Sequence, residues 1–321
     1  FDATQFAAFS ATQVRALTTT QIGNLEAADI AEFTTTQIAG LATTQVRGLT
    51  ETAVAALAAT QIAALTVPQI QSLSTTSLVG FADTQIGALT TTQIGGLLAP
   101  QVSAFGATTV AALAATQISA MSATQIAALG STNFAALDST QIGALTTTQM
   151  RSLTTSQIAS IDAGQVSSFT TTQLTQLSGT QLKSLSTSNL SALDTTQMGA
   201  LTATQIASLT TTQIAGLVAG DIGEMTTTQV QALVTAQVAS LTTEAVSALT
   251  TTQVGAMRTT QIQGLTTTQF GALDSTDMAE VTTTQLQSLT TAQVAGLTST
   301  NAQSLSTQQL AALTTAQIAA L

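Results

Sequence analysis

The chain repeats every eight residues without a slip. One leading residue is followed by forty octads, 2–9, 10–17 and onward to 314–321, with no insertion or deletion. The consensus is Thr-Thr-Thr-Gln-Ile-x-Ala-Leu, and the octads at 90–97 and 210–217 stand close to it. A short period held this strictly means one structural unit stacked on its neighbours, with no unit able to bury its apolar face alone. The expectation is a single continuous solenoid over 1–321, without domain boundaries or linkers.

The eight positions obey different rules. Position eight is always Leu, Phe, Met, Ile or Val, and position five is large and apolar in every octad except the one carrying Ala302. All nine Phe residues occupy these two positions. Position seven is Gly, Ala or Ser in 35 octads, which predicts close approach of a neighbouring backbone. Position six tolerates Arg15, Arg47, Arg151 and Lys183 and is expected to face water. Position four is Gln in 30 octads, and position one is Ser, Thr or Asp in 29.

These rules exclude one long helix. Eight residues advance an α-helix by two turns plus about 80°, so an apolar stripe with this period winds around the axis and faces no single partner. Coiled coils need periods near seven or eleven. The chain must therefore turn once per octad. Residues at position one are of the types that cap helix N-termini. Gln three places later completes the capping box, in which its side chain reaches back to the cap residue's amide. Thr250 with Gln253 and Thr282 with Gln285 are examples. Positions five and eight then share a helix face. Pro68 and Pro100, both at position three, fall in the first turn, where a missing N–H costs least. Leu98, at position one of the second of these octads, cannot cap.

The expected fold is all-α, a solenoid of very short capped helices, one per octad. The alternative is a β-solenoid, favoured by the Thr, Ile and Val content. Residues three apart point to opposite faces of a strand, so positions five and eight would both face inward only around a corner. A helix of this length is unstable alone in water. Burying the apolar side chains of one octad contributes about 8–10 kcal/mol, and ordering its eight residues costs roughly 12 kcal/mol. Bonds and packing between coils must close that gap, so stability is expected to be cooperative along the array.

Composition narrows the function. Only 6% of residues are charged, with 15 acidic against 5 basic side chains and a net charge of −10, so no basic patch for nucleic acid exists. Every octad carries at least one of Thr, Ser, Gln, Asp and Glu, which argues against membrane insertion. The absence of Cys excludes disulfides and thiolate metal sites. There is no His and one Lys, Lys183, so the many hydroxyls lack a base and no enzyme is expected. The chain opens on Phe1 inside the pattern, as a processed product or a window on a longer array would.

One coincidence points to chemistry. Asp stands at position four in three octads, as Asp29, Asp221 and Asp277, and Glu stands at position seven in the same three, as Glu32, Glu224 and Glu280. An i, i+3 carboxylate pair shares a helix face and repels unless compensated. Two readings stay open. One is a weak divalent-cation site, calcium being the candidate, joining coils or chains. The other is a variant octad with Asp near a helix N-terminus and Glu on a wet edge. No other cofactor is expected.

The run Thr-Thr-Thr-Gln-Ile-Ala-Gly-Leu at 34–41 and its sisters resemble low-complexity octapeptide arrays of very large bacterial secreted or surface proteins. The resemblance is one of repeat type, spans the whole chain and implies an extracellular or cell-surface filament, stalk or adhesin. The partner expected on this basis is the chain itself, end to end or side by side. Two other functions compete. A repeat scaffold would read protein or sugar partners through position six, whose Ala, Gly and Ser content offers few anchoring side chains. An ice-binding surface would use Thr at positions two and three, where Ala, Ser, Gly, Glu and Pro interrupt the rows.

Overall fold

The computed structural model describes residues 3–321. Each octad forms one helix of four to six residues, giving forty among the described residues, from Ala3–Ala8 to Thr315–Ile318. No strand occurs among those residues, so the architecture is the all-α one and the β-solenoid falls away. Among the described residues no helix is long and apolar enough to cross a membrane.

The local mechanism is the clasp. In the octad 34–41, Thr34 has extended backbone, and its hydroxyl oxygen accepts a hydrogen bond from the Gln37 amide at 3.3 Å. The Gln37 Oε1 in turn accepts from the Thr34 N–H at 2.7 Å. Two of the N–H groups that a helix start leaves unbonded are thereby satisfied. The helix Thr35–Gly40 ends one residue later at Leu41, which is again extended (φ −60°, ψ 141°). Where position one cannot accept, half of the clasp persists: Leu98 gives no side-chain cap, yet its N–H still donates to Gln101 Oε1 at 2.9 Å. Pro68 and Pro100 lie in the first turns of Val67–Ser72 and Ala99–Ser103, as their position requires. Gly130 has φ +70°, a left-handed backbone that suits glycine. The helix Gly130–Phe134 starts there, at the first residue of its octad.

The chain divides into two compact units, Phe1–Ile161 and Asp162–Leu321. Each is a helical solenoid. Within each unit a helix packs against the third helix along the chain, as Ala11–Arg15 against Thr35–Gly40 and Thr227–Ala232 against Thr251–Ala256. Side-chain bonds recur at a separation of 28 residues, three and a half octads, which we take as one coil. A helix therefore sits across the seam between two helices of the coil before it, as bricks overlap in a wall.

Positions five and eight form the core. Ile38, Ile62, Ile94, Ile206 and Ile262 are fully buried, and position-eight residues such as Leu65 and Leu209 nearly so. Position seven is the close approach expected of small residues. A Cβ on Gly40 would lie 2.8 Å from the Cβ of Ala11, and one on Gly264 would lie 2.6 Å from Thr235 Cγ2. Position six is mostly exposed, as Arg15, Arg47, Arg151 and Lys183 are. Its longer polar side chains still reach along the stack, with Gln71 Nε2 donating to the Gly96 carbonyl and Gln231 Nε2 to that of Ala256, both at 2.7 Å.

Candidate functional site

The most heavily bonded side chain in the molecule is one that capping logic treats as half a clasp. Gln at position four is buried: Gln37, Gln69 and Gln229 are each 2% exposed. With Oε1 facing its own N-cap, the Gln turns its Nε2 towards the coil before it. Gln69 Nε2 donates to the carbonyls of Ile38 at 2.9 Å and Leu41 at 2.8 Å. In the second unit Gln261 Nε2 donates to Val230 at 2.7 Å and Leu233 at 2.8 Å. These carbonyls belong to the end of a helix four octads earlier; those of Ile38 and Val230 also accept the N–H three residues on, at 3.2 Å, and each carbonyl oxygen has a second lone pair for the Gln. One amide thus caps the start of its own helix and the end of another.

The sequence held a signal for this second role. Either Glu or Gln closes a capping box, yet no Glu occurs at position four in any octad. A carboxylate accepts and cannot donate, so the bias against Glu marks a donor requirement. The shorter Asn keeps it, as Asn133 Nδ2 donates to the Phe105 carbonyl at 2.6 Å and Asn301 Nδ2 to that of Leu273 at 2.8 Å.

The three acidic pairs are positioned by the same geometry. Each Asp takes the clasp side of the Gln role. Asp29 Oδ2 accepts from the Glu26 N–H at 2.8 Å, Asp221 Oδ2 from Val218 at 2.9 Å, and Asp277 Oδ2 from Asp274 at 3.2 Å. Asp221 and Asp277 are buried, and Asp29 is half-buried. The Glu partners lie on the outside of their octads. Glu32 and Glu280 are exposed, and Glu224 accepts from Thr195 Oγ1 at 2.5 Å. Each Asp therefore engages a backbone amide inside its own octad while its Glu looks outward. Among the described residues no three His, Cys, Asp or Glu side chains gather as a metal ion would need.

Electrostatics separate these carboxyls. Burial pushes the Asp277 carboxyl above its ordinary range; the Asp274 amide opposes this, and the Asp274 charge adds to it. Asp274 itself is held low by the Thr276 hydroxyl and by the Asp277 and Thr276 amides. Exposed Glu244 is also held low, by its backbone contact and by the Thr242 and Thr243 hydroxyls. Glu280 borders an open depression of about 320 Å³ whose other walls include Thr282, Thr283, Ser306 and Gln308. Hydroxyls and amides line it beside that one carboxylate.

The octads match a known repeat family, described as the ALTTAQ repeat, in six stretches: 110–147, 127–155, 134–171, 179–211, 214–251 and 270–307. Together these span more than half of the chain. The chain belongs to the ALTTAQ repeat family. The string itself stands at 312–317, from position seven of one octad to position four of the next. In structural terms the Leu of an ALTTAQ repeat is core, its first Thr is the N-cap, and its Gln is the amide that joins coils. No curated protein matches the chain.

Proposed function

We propose that this ALTTAQ repeat chain is a structural element, a section of an extracellular filament, stalk or adhesin-like surface fibre, with cohesion rather than catalysis as its task. The observation that carries this reading is the bond between coils. Every Gln octad presents the same donor on one edge and the same carbonyl acceptors on the other, so any coil of this register fits onto any other. Gln37 and Gln45 use these donors on the carbonyls of Phe9 and Leu17. A coil of a second copy carries the same donors and the same acceptors. An interface that joins unlike edges of one chain generates open filaments unless rotation closes it. The setting outside the cell is supported by the resemblance of the octads to arrays in bacterial secreted and surface proteins.

Negative-stain electron microscopy of the purified chain tests the proposal. Rods or filaments longer than one chain are expected, and compact single particles at all concentrations would sink it.

A further inference from the structure

The charged residues are sorted around the coil. Residues 28 apart lie one coil above another, so the remainder of a residue number on division by 28 gives its place on the circumference. In the first unit Glu26, Asp29, Glu32, Glu51, Asp83 and Asp138 leave 26, 1, 4, 23, 27 and 26, an arc from 23 through zero to 4. Arg15, Arg47 and Arg151 leave 15, 19 and 11, on the opposite arc. In the second unit Asp162, Asp194, Glu224, Glu244, Asp274 and Glu280 leave 22, 26, 0, 20, 22 and 0, while Lys183 and Arg258 leave 15 and 6. Each unit, taken alone, carries its acids on one side and its bases on the other. A coil one residue longer or shorter keeps the arcs apart.

The octad does not demand this. Thr, Ser and Asp serve equally at the N-cap, yet Asp138 lies in the acidic arc of its unit, and Asp162, Asp194 and Asp274 lie in that of theirs. Position six takes Ala, Gly, Ser or Arg on packing grounds, yet Arg15, Arg47 and Arg151 share the other arc. Aligning like charges along a stack is unfavourable in itself. A charge outside the stack would compensate, and one of opposite sign exists on the other side of the same unit.

We infer that the chain pairs side by side with a second copy, the acidic side of a unit in one against the basic side of a unit in the other. The inference rests on the fibre reading and adds a lateral contact to it. Single exposed ion pairs are weak, but stacked coils present several at fixed spacing, and simultaneous engagement multiplies them. The basic side chains are fewer and so limit the number of pairs.

Sedimentation velocity tests this on the full chain. At about 10 mM salt, where screening reaches about 30 Å, the weight-average mass should rise at least about twofold; at about 1 M, with screening near 3 Å, that rise should vanish. A variant with Arg15→Gln, Arg47→Gln, Arg151→Gln and Lys183→Gln should not associate laterally, and one with Glu26→Gln, Glu32→Gln, Glu51→Gln, Asp83→Asn, Glu224→Gln, Glu244→Gln and Glu280→Gln should associate less than the unaltered chain. Unchanged far-UV circular dichroism confirms that both are folded. Mixing the two variants should restore association. Salt-independent association, or association that survives loss of the basic side chains, overturns the inference. Filaments that form under the microscope yet never pair laterally would end the inference and leave the fibre reading standing. Only the absence of any elongated assembly sinks the fibre reading itself.

Discussion

Asp277 and Gln285 occupy the same place in neighbouring octads, and the difference between them shows what holds the coils together. Both are buried, and both accept the N–H of their own N-cap residue, Asp274 at 3.2 Å and Thr282 at 2.7 Å. Gln285 then donates to the carbonyls of Val254 at 3.2 Å and Met257 at 2.6 Å, four octads back. The residues in the same relation to Asp277 are Val246 and Leu249, and an ionised Asp has no hydrogen to offer them. The clasp needs only an acceptor; the joint between coils needs a donor. Octads with Ala53 or Ala245 at position four, each fully buried, supply neither.

The largest effect expected from this contrast is that of converting a Gln octad into an acidic one. Gln69→Glu retains the acceptor for Thr66 N–H but sets a charged oxygen against the carbonyls of Ile38 and Leu41. A buried charge facing acceptors should destabilise the surrounding coils by about 3 kcal/mol at neutral pH. Protonation restores a donor, so the loss should shrink in acid. Gln69→Ala removes both functions without adding charge and should cost about 2 kcal/mol. Repeat arrays lose cooperativity, so native-state hydrogen exchange of the Ile38, Leu41 and Thr66 coils measures these losses better than one melting temperature. Equal effects of Glu and Ala would show that the buried charge adds nothing, and unchanged exchange in both would show that the donor does not matter.

The sequence made the octad's interior legible and hid the relations between octads. The mismatch between eight residues and the helical turn forced a bend, the Thr and Gln types located the clasp, and positions five and eight identified the core. All of these are local. The coil length was not legible because it depends on the angle at which Leu41 and its equivalents turn the chain, and packing sets that angle. The second role of Gln was masked by the first, since the capping box already explained why Gln stands there. The sorting of charge could not be seen at all without the 28-residue coil, because Glu26 and Asp138 look unrelated until four coils are counted between them. The acidic pairs were noticed for their shared octads. Their geometry divides them, with Asp221 and Asp277 facing inward, Glu280 exposed and Glu224 half-buried on the Thr195 hydroxyl.

A smaller and opposite effect should come from converting the acidic octad to the amide type. Asp277→Asn replaces a buried carboxylate by the side chain that, at Asn301, donates to the Leu273 carbonyl. It should stabilise the second unit by about 1 kcal/mol at pH 7. The pH dependence follows from burial, which makes the folded state hold the Asp277 proton more tightly than the unfolded chain does. The penalty is therefore absent below the ordinary value of 3.8, grows as the pH rises through the raised value, and is complete above it. The gain from Asn should follow that curve and disappear in acid. Thermal melts of both proteins from pH 3 to pH 7 check it, and a gain independent of pH would mean that charge burial is not the cause.

The smallest expected effect concerns the other half of the clasp. Leu98 donates its N–H to Gln101, but its side chain offers no oxygen, so the Gln101 amide donates to the Leu98 carbonyl instead, at 2.9 Å, and 45% of the Leu98 surface is exposed. Leu98→Thr supplies a side-chain acceptor in a backbone already extended (φ −76°, ψ 146°), close to that of Thr90 in the octad before it (φ −67°, ψ 157°). Thr90 shows the bond to be formed, its Oγ1 accepting from the Gln93 amide at 3.2 Å. Little apolar burial is lost, so the cap term should dominate, at about 0.5–1 kcal/mol of added stability. Slower exchange of the Gln101 amide, with the coils on either side changed by less, is the expected signature. If Gln101 exchange stays the same, the donor half of the clasp alone is enough to start a helix in this stack, and the Thr at position one is held there by its exposure to water rather than by its cap.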